Sequence, residues 1–348
     1  MPTRTESDRN RPIVDIAGVQ FGQRVQDPFL VLAVEHRGID EPFTVIALGN
    51  RTGRIETAPF WLKDLPRISG IVKGDVVQVI GEIAAYRDRR QLKVLSIRVL
   101  PKDGIDWWSL MPSVGDLDPY WEAVDRWRGD ITRPHLRAVV DLCFSNQDFR
   151  AQFEACPASL TAHHAALGGL LRHTAEVAAI ARAIARVCQA EVDVVLAGAL
   201  LHDIGKIEAY RWQGGFDLSE QGALLGPQVL GARMLERMVR EAETPPCTDR
   251  ELALLQHLVL AQADTGDTAG PIRPATLAAT ALYHADQASA RTALCADAIA
   301  SPDLFQGKAQ VSSSHVRQLE GRQVLSGQSD WGLEEPAADK KKGRPSGS

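Results

Sequence analysis

The hydrophobic pattern of this chain changes period once, near residue 100, and that change most constrains what the chain can fold into. Before it, Phe29–Val34, Phe43–Leu48, Val76–Ile80 and Gln91–Leu100 are rich in β-branched residues and partly alternate between apolar and polar positions. Turn signals at Asn50-Arg-Thr-Gly53, Lys73-Gly-Asp75 and Arg87-Asp-Arg-Arg90 separate them. Short strands at this spacing predict a small β-barrel over residues 13–103. After the change, residues 135–300 carry long amphipathic runs, including Leu167 to Cys188, Val192 to Lys206, Leu224 to Glu243, Arg250 to Gln262 and Ala275 to Ala300. The run from Val192 is apolar almost throughout and predicts a central helix. Between the two regions, residues 104–134 hold Trp107, Trp108, Trp121 and Trp127 among several prolines, and read as an ordered linker. Residues 1–12 and 301–348 are polar or of low complexity and are expected to be disordered. The predicted fold class is multi-domain α+β: a small N-terminal barrel followed by an all-α bundle.

Composition narrows the function classes. The formal net charge of −5 argues against a protein wholly devoted to nucleic acid, but the charge is uneven. Residues 1–103 carry 16 Lys+Arg against 13 Asp+Glu, and the remainder carries 23 against 31. Five scattered cysteines without a Cys-x-x-Cys pair read as small buried residues in a reducing compartment. Met1 to Arg11 lacks the apolar core of a signal peptide, and no stretch approaches the ~20 apolar residues of a membrane span. The expectation is a cytoplasmic protein with no membrane partner.

The chemistry concentrates in Leu200-Leu-His-Asp-Ile-Gly-Lys206. Imidazole and carboxylate are both good ligands for a divalent ion, and neighbouring helical residues lie about 100° apart, so His202 and Asp203 can reach one cation. Alone, the dipeptide more often describes a hydrogen-bonded core histidine. Three further elements stand around it. His163-His164 precede Gly168-Gly-Leu-Leu-Arg-His173-Thr174, Tyr283-His-Ala-Asp286 lies in the last long helix, and Gln256-His-Leu-Val-Leu260 ends the one before.

In the order His…His-Asp…Asp, with each member on a helical segment, the chain resembles the HD-domain metal-dependent phosphohydrolases. With a barrel of the OB type in front, it is similar to the YhaM-type 3′→5′ exoribonucleases in particular. The barrel motifs Thr52-Gly-Arg-Ile-Glu56 and Val79-Ile-Gly-Glu-Ile83 share in that likeness. The resemblance covers residues 13–300 and implies that His173, His202, Asp203 and Asp286 bind a divalent metal, with Mn²⁺ favoured over Mg²⁺, Co²⁺ or Fe²⁺. Asp203 would orient a water and Lys206 would neutralise phosphate charge, the two catalytic residues. His163 and His164 would lie on the substrate side, and His284 reads as packed or exposed. The family's further imidazoles, which in binuclear members hold a second ion, are replaced here by Pro227 and Gln262-Ala263. One metal is therefore expected, with Asp264 or Asp267 as the only nearby substitutes for a second site.

OB barrels bind single strands through a basic groove with aromatic stacking platforms. Tyr86, Arg87, Arg89, Arg90 and Lys93 are the expected contacts, whereas Phe43 and Phe60 read as barrel core. The function implied is a metal-dependent exoribonuclease that shortens single-stranded RNA, or alternatively single-stranded DNA, to nucleoside monophosphates. A homo-oligomer is compatible with it. The alternatives are a nucleic-acid-binding protein with a degenerate HD domain, and an HD nucleotide phosphohydrolase with a regulatory barrel.

Overall fold

A computed structural model describes residues 13–38, 41–86, 89–262, 272–301, 304–305, 310–316 and 319–326; the side chains of Tyr86 and Arg89 are not described. The expectations for residues 1–12, for Arg87, and for Ala263, Asp264 and Asp267 fall outside these residues. Chain contacts divide the protein into residues 1–293 and 294–348.

Within the first unit, five strands close a barrel: β1 (Arg24–Arg37), β2 (Phe43–Asn50), β3 (Gly53–Thr57), β5 (Val76–Tyr86) and β6 (Arg89–Leu100). β1 pairs with both β2 and β5, β5 with β6, and β2 with β3, all antiparallel; the ring is closed by the parallel pair β3–β6. A two-residue strand, β4 (Phe60–Trp61), adds to β2 before a 3-10 segment, Leu62–Ile68. β3 has no clear periodic signal because it is five residues long and only Ile55 and Thr57 are buried. Period-2 alternation decides the packing. Val77 and Val79 of β5 join Phe29, Ile46, Leu48, Ile83 and Leu92 inside the barrel. Val76 points the other way and, with Leu30, belongs to the core of the helical region.

That region begins in the expected linker. α1 (Trp107–Leu110) and α2 (Asp118–Asp130) are followed by α3 (Pro134–Phe144), α4 (Gln147–Ala155), α5 (Gly169–Val187) and α6 (Val192–Leu201). Then come α7 (Lys206–Ala209), a hairpin of β7 (Tyr210–Arg211) and β8 (Asp217–Leu218), α8 (Glu220–Glu241), α9 (Asp249–Leu260) and α10 (Leu277–Ala300). Trp121 and Trp127 of α2 are buried, and Trp121 packs against Phe144 and Phe153. α6 is apolar all round because it is surrounded, touching α2, α3, α5 and α9. The helix predicted to run through Lys206 instead ends at Leu201, with His202 as its C-cap.

After that cap, Gly205 fixes how closely the turn approaches α8. A Cβ on Gly205 would lie 2.0 Å from the Pro227 carbonyl oxygen and 2.2 Å from the Gly231 nitrogen, both backbone atoms that cannot swing aside. α8 is itself kinked at Gly226, whose φ is 75°. Gly205→Ala therefore lowers stability by about 1–3 kcal/mol through overpacking, read as a lower melting temperature; an unchanged melting temperature would contradict the close approach.

In the second unit, the expected disorder from residue 301 is corrected for part of the stretch. Val311 bridges Leu325, Val316 bridges Arg322, and Ala298, Val316, Leu319 and Val324 form a small buried cluster. A few valines and leucines in a Ser/Gln-rich sequence suffice to bury one another. The cysteines are also less uniform than expected: Cys143 and Cys156 are buried, but Cys188 is exposed. Among the described residues, no helix is long and apolar enough to cross a membrane.

Candidate metal centre

Four elements bring the site together. His173 comes from the second turn of α5, His202 from the cap of α6, Asp203 from the turn after it, and Asp286 from α10. His173 and His202 are fully buried, and the Asp286 side chain is 18% exposed, so the cluster has one open side. One nitrogen of each imidazole and one oxygen of Asp286 lie within 4.8 Å of one another. His173 Nε2 is 3.0 Å from Asp286 Oδ1 and 3.5 Å from His202 Nε2. The Asp203 Oδ2 atom lies 3.2 Å from His202 Nε2 and 3.6 Å from His173 Nε2.

Hydrogen bonds behind the rings fix their tautomers. His202 Nδ1 is 2.7 Å from the Ala199 carbonyl oxygen, which can only accept, so Nδ1 carries the proton. Ser289 donates its single hydroxyl proton to Glu176 Oε2 at 2.9 Å, so its oxygen, 3.1 Å from His173 Nδ1, accepts from that ring. In the neutral rings both Nε2 lone pairs therefore face each other and the Asp286 carboxylate. Two lone pairs and a carboxylate oxygen at such distances repel unless a cation lies among them. The donor set thus fits a divalent ion of the kind that histidine and carboxylate hold.

Electrostatics differ between the two rings. Burial pushes His173 below its ordinary pKa, with Asp286 only partly offsetting it. For His202, burial is outweighed by the Asp203 carboxylate, and its pKa rises. Burial would raise Asp203, but the neighbouring His202 and Lys206 reverse this and hold it well below the carboxylate range. Lys206 Nζ sits 2.5 Å from Asp203 Oδ2, and although burial opposes its charge, Asp203 keeps its pKa above the ordinary value.

The two histidines of the α4–α5 loop part company. His164, expected on the substrate side, turns inward: it is buried and its Nε2 lies 3.0 Å from Glu176 Oε2. Its carbonyl oxygen would be 2.0 Å from a Cβ on Gly169, which accounts for the glycine at the start of α5. His163 stacks toward the centre, its ring 5.0 Å from that of His173, and its buried Nε2 has no partner among the described residues. Burial, reinforced by His173, pushes its pKa down to about 3. His284 is exposed beside Tyr283, and His257 accepts a hydrogen bond from the Ala275 amide at 3.0 Å.

Glu176 and Ser289 carried no motif signal, yet they join His164 and Arg172 to His173. The signal that was available is spacing: Glu176 is one turn beyond His173 on α5, and Ser289 one turn beyond Asp286 on α10. Burial would raise the Glu176 carboxyl, but hydrogen bonds from His164 and Arg172 bring it down to about 2. A depressed carboxyl stabilises the fold above its unfolded pKa of about 4.3, and that contribution is lost as pH falls toward the folded value. Partners behind a metal-bound imidazole typically contribute 10–100-fold to metal affinity. Glu176→Gln accordingly weakens metal binding about 10-fold or more, measured by competition with a chromogenic chelator; unchanged affinity would separate Glu176 from the centre.

Of the positions expected to lack the resembled family's imidazoles, Gln262 joins an amide bridge with Gln228, the neighbour of Pro227. Gln262 Nε2 donates to the His202 carbonyl oxygen, and its own Oε1 is 3.4 Å from Gln228 Nε2. Pro227 stands at the α8 kink.

On the barrel, Arg90 is exposed and also holds its own backbone. Its Nη1 donates to the carbonyl oxygens of Ala17 and Val19 at 2.8 and 3.1 Å, holding the segment before β1. Lys93 is exposed. Phe60 is core, as expected, but Phe43 pairs with Trp61 at 5.2 Å, and Trp61 is 42% exposed.

Residues 170–291 match the model of the HD domain family. The chain carries an HD domain. Members of this class bind divalent metals, and His173, His202 and Asp286 lie inside the matched HD domain. The similarity to curated proteins extends beyond the HD domain. The chain is 27% identical to the 3′-5′ exoribonuclease YhaM of Shouchella clausii, over 72% of this chain and 78% of that protein. It is 26% identical to YhaM of Halalkalibacterium halodurans over 78% and 85%, and 24% identical to YhaM of Bacillus subtilis over 78% and 86%. The chain is thus a relative of these proteins in which a five-stranded OB-like barrel precedes the HD domain.

Proposed function

We propose that this protein is a metal-dependent 3′→5′ exoribonuclease that shortens single-stranded RNA to nucleoside 5′-monophosphates. The observation that carries the reading is the convergence of two imidazole Nε2 lone pairs, each ring tethered through Nδ1, on a half-open carboxylate. His173, His202 and Asp286 would hold one divalent ion, with Asp203 beside it, and Mn²⁺ is favoured. Bound there, a divalent ion supplies a Lewis acid for a phosphoryl oxygen and a more acidic water. The Gln262–Gln228 bridge, where the family's further imidazoles would stand, favours a single ion.

The protein's own groups do the rest. Asp203, kept anionic by Lys206 and His202, accepts a hydrogen bond from the attacking water and sets its direction. Lys206 offers its ammonium to the non-bridging phosphate oxygens, where negative charge grows in the transition state. His163, neutral across the physiological range, presents an unpaired nitrogen toward the substrate side. The strand itself is held by the barrel, whose exposed Trp61 offers a stacking face and whose Lys63, Lys73 and Lys93 are exposed cations. Tyr86, Arg87 and Arg89 remain contacts expected from the sequence, outside the described side chains.

The test is incubation of the full chain with Mn²⁺ and single-stranded RNA labelled at its 5′ end, then at its 3′ end. The expected products are a ladder of 5′-labelled fragments and, from the 3′ label, mononucleotide at the earliest times. RNA bound but never shortened would point to a degenerate HD domain, and hydrolysis of free nucleotides alone to a nucleotide phosphohydrolase.

A further inference from the structure

A groove of about 660 Å³ lies between α4 and the hairpin that follows α7, within the usual size of a small-molecule site. One wall is a single face of α4, where Gln147 with Ala151, and Asp148 with Gln152, are neighbours four residues apart. The other wall is the hairpin that follows α7 and carries Tyr210, Trp212 and Gln213. Each wall is joined through the chain to a residue near the metal centre. Cys156, the cap that follows the last turn of α4, is buried and close enough to Lys206 and Asp203 to feel their charges. Tyr210 follows Lys206 by four residues, and its amide donates to the Lys206 carbonyl. At its other end the hairpin meets the barrel: a Cβ on Gly214 would lie 2.7 Å from the Gly74 carbonyl oxygen. The hairpin therefore joins the barrel to Lys206, and the groove lies along that connection.

The lining chemistry selects the ligand. Asp148 and Arg211 give the lining one charge of each sign, and the Arg211 guanidinium is bonded to the Leu218 carbonyl oxygen. The lining therefore carries no net positive charge to select a phosphate dianion. Three glutamine amides, each both donor and acceptor, stand with a tyrosine and a buried tryptophan. An amide can turn either end toward a base edge, so such a lining suits any of the four bases, as an exonuclease requires.

Resting on the exoribonuclease reading above, we propose that this groove between α4 and the β7–β8 hairpin receives the base and ribose of the 3′-terminal nucleotide, leaving its phosphate at the metal centre.

The experiment uses the full chain with Mn²⁺ and isothermal titration with adenosine, adenosine 5′-monophosphate and inorganic phosphate. Gln147→Ala with Gln152→Ala alters one wall, and Gln213→Ala the other; all three residues are exposed, and unchanged melting temperatures verify the fold. The expected result is about a tenfold weaker binding of adenosine and of its monophosphate in the double variant, with phosphate binding unchanged. For RNA, KM rises to a similar degree and kcat stays within twofold, the pattern of binding lost equally from ground and transition states. Adenosine that fails to bind the unaltered protein, or binds all variants equally, overturns the groove assignment. If RNA is still shortened in that case, the exoribonuclease reading stands without the groove. If adenosine binding depends on the glutamines but RNA is never shortened, the groove stands and that reading falls.

Discussion

His202→Ala lowers the rate of RNA shortening at least about 10³-fold, equivalent to about 4 kcal/mol of barrier. The size follows from what the ring does. Its Nε2 is one of three ligand atoms within 4.8 Å, and its Nδ1 is tied to the Ala199 carbonyl, so no other side chain can take its place. Alanine leaves the last turn of α6 intact, because the helix ends before residue 202 and its core residues Leu196, Leu200 and Leu201 remain buried. RNA binding through the barrel is retained. The measurement is single-turnover shortening of 5′-labelled RNA with saturating Mn²⁺, alongside filter binding. A variant that keeps more than a tenth of the rate would show that the imidazole is not part of the reacting site.

Lys206→Met acts on both stability and turnover, in ways that metal separates. The ammonium and the Asp203 carboxylate are both buried and 2.5 Å apart. Removing one member of such a pair leaves an uncompensated charge, at a cost of about 3–5 kcal/mol in the metal-free protein. A divalent ion beside Asp203 restores the lost compensation, so Mn²⁺ recovers most of that stability but not turnover, which stays down about 10²–10³-fold. The pH dependence follows the carboxylate. Asp203 is held below the usual range, so the pair's contribution is present above the unfolded pKa of about 3.9 and disappears as pH falls through the folded value. The acid-side loss of stability is therefore smaller in Lys206→Met than in the unaltered chain. Urea unfolding with Mn²⁺ and with chelator, between pH 3 and pH 7, reads all of this. Equal loss of stability with and without metal would contradict the shared role assigned to Lys206.

The architecture was legible because two periods dominate it. Alternation in β1 and β5 sorts residues between the barrel interior and the helical core, and the apolar run of α6 requires a surrounded helix. The parts that were not legible are short or shaped by close contacts. β3, β4 and the β7–β8 hairpin are too brief to show a period. The end of α6 at Leu201 is set by the approach of Gly205 to α8, which only the packed structure contains.

At the site, the resemblance to the HD-domain phosphohydrolases marked His173, His202, Asp203 and Asp286. It could not distinguish His163, with its unpaired buried nitrogen, from His164, which is held by Glu176, because adjacent residues of one type differ only in where the loop turns them. Nor could it show that Arg90 serves the carbonyl oxygens of Ala17 and Val19. An arginine in a hairpin reads the same whether it meets a phosphate or a stretch of its own backbone.

The metal content of the full chain, purified without chelators and analysed by inductively coupled plasma mass spectrometry, tests the central claim most directly. The arrangement of His173, His202 and Asp286 predicts about one divalent transition-metal ion per chain, and less than a tenth of that in His173→Ala with Asp286→Ala. Protein that shortens RNA while holding no ion, or that keeps its ion when both ligands are gone, would contradict it.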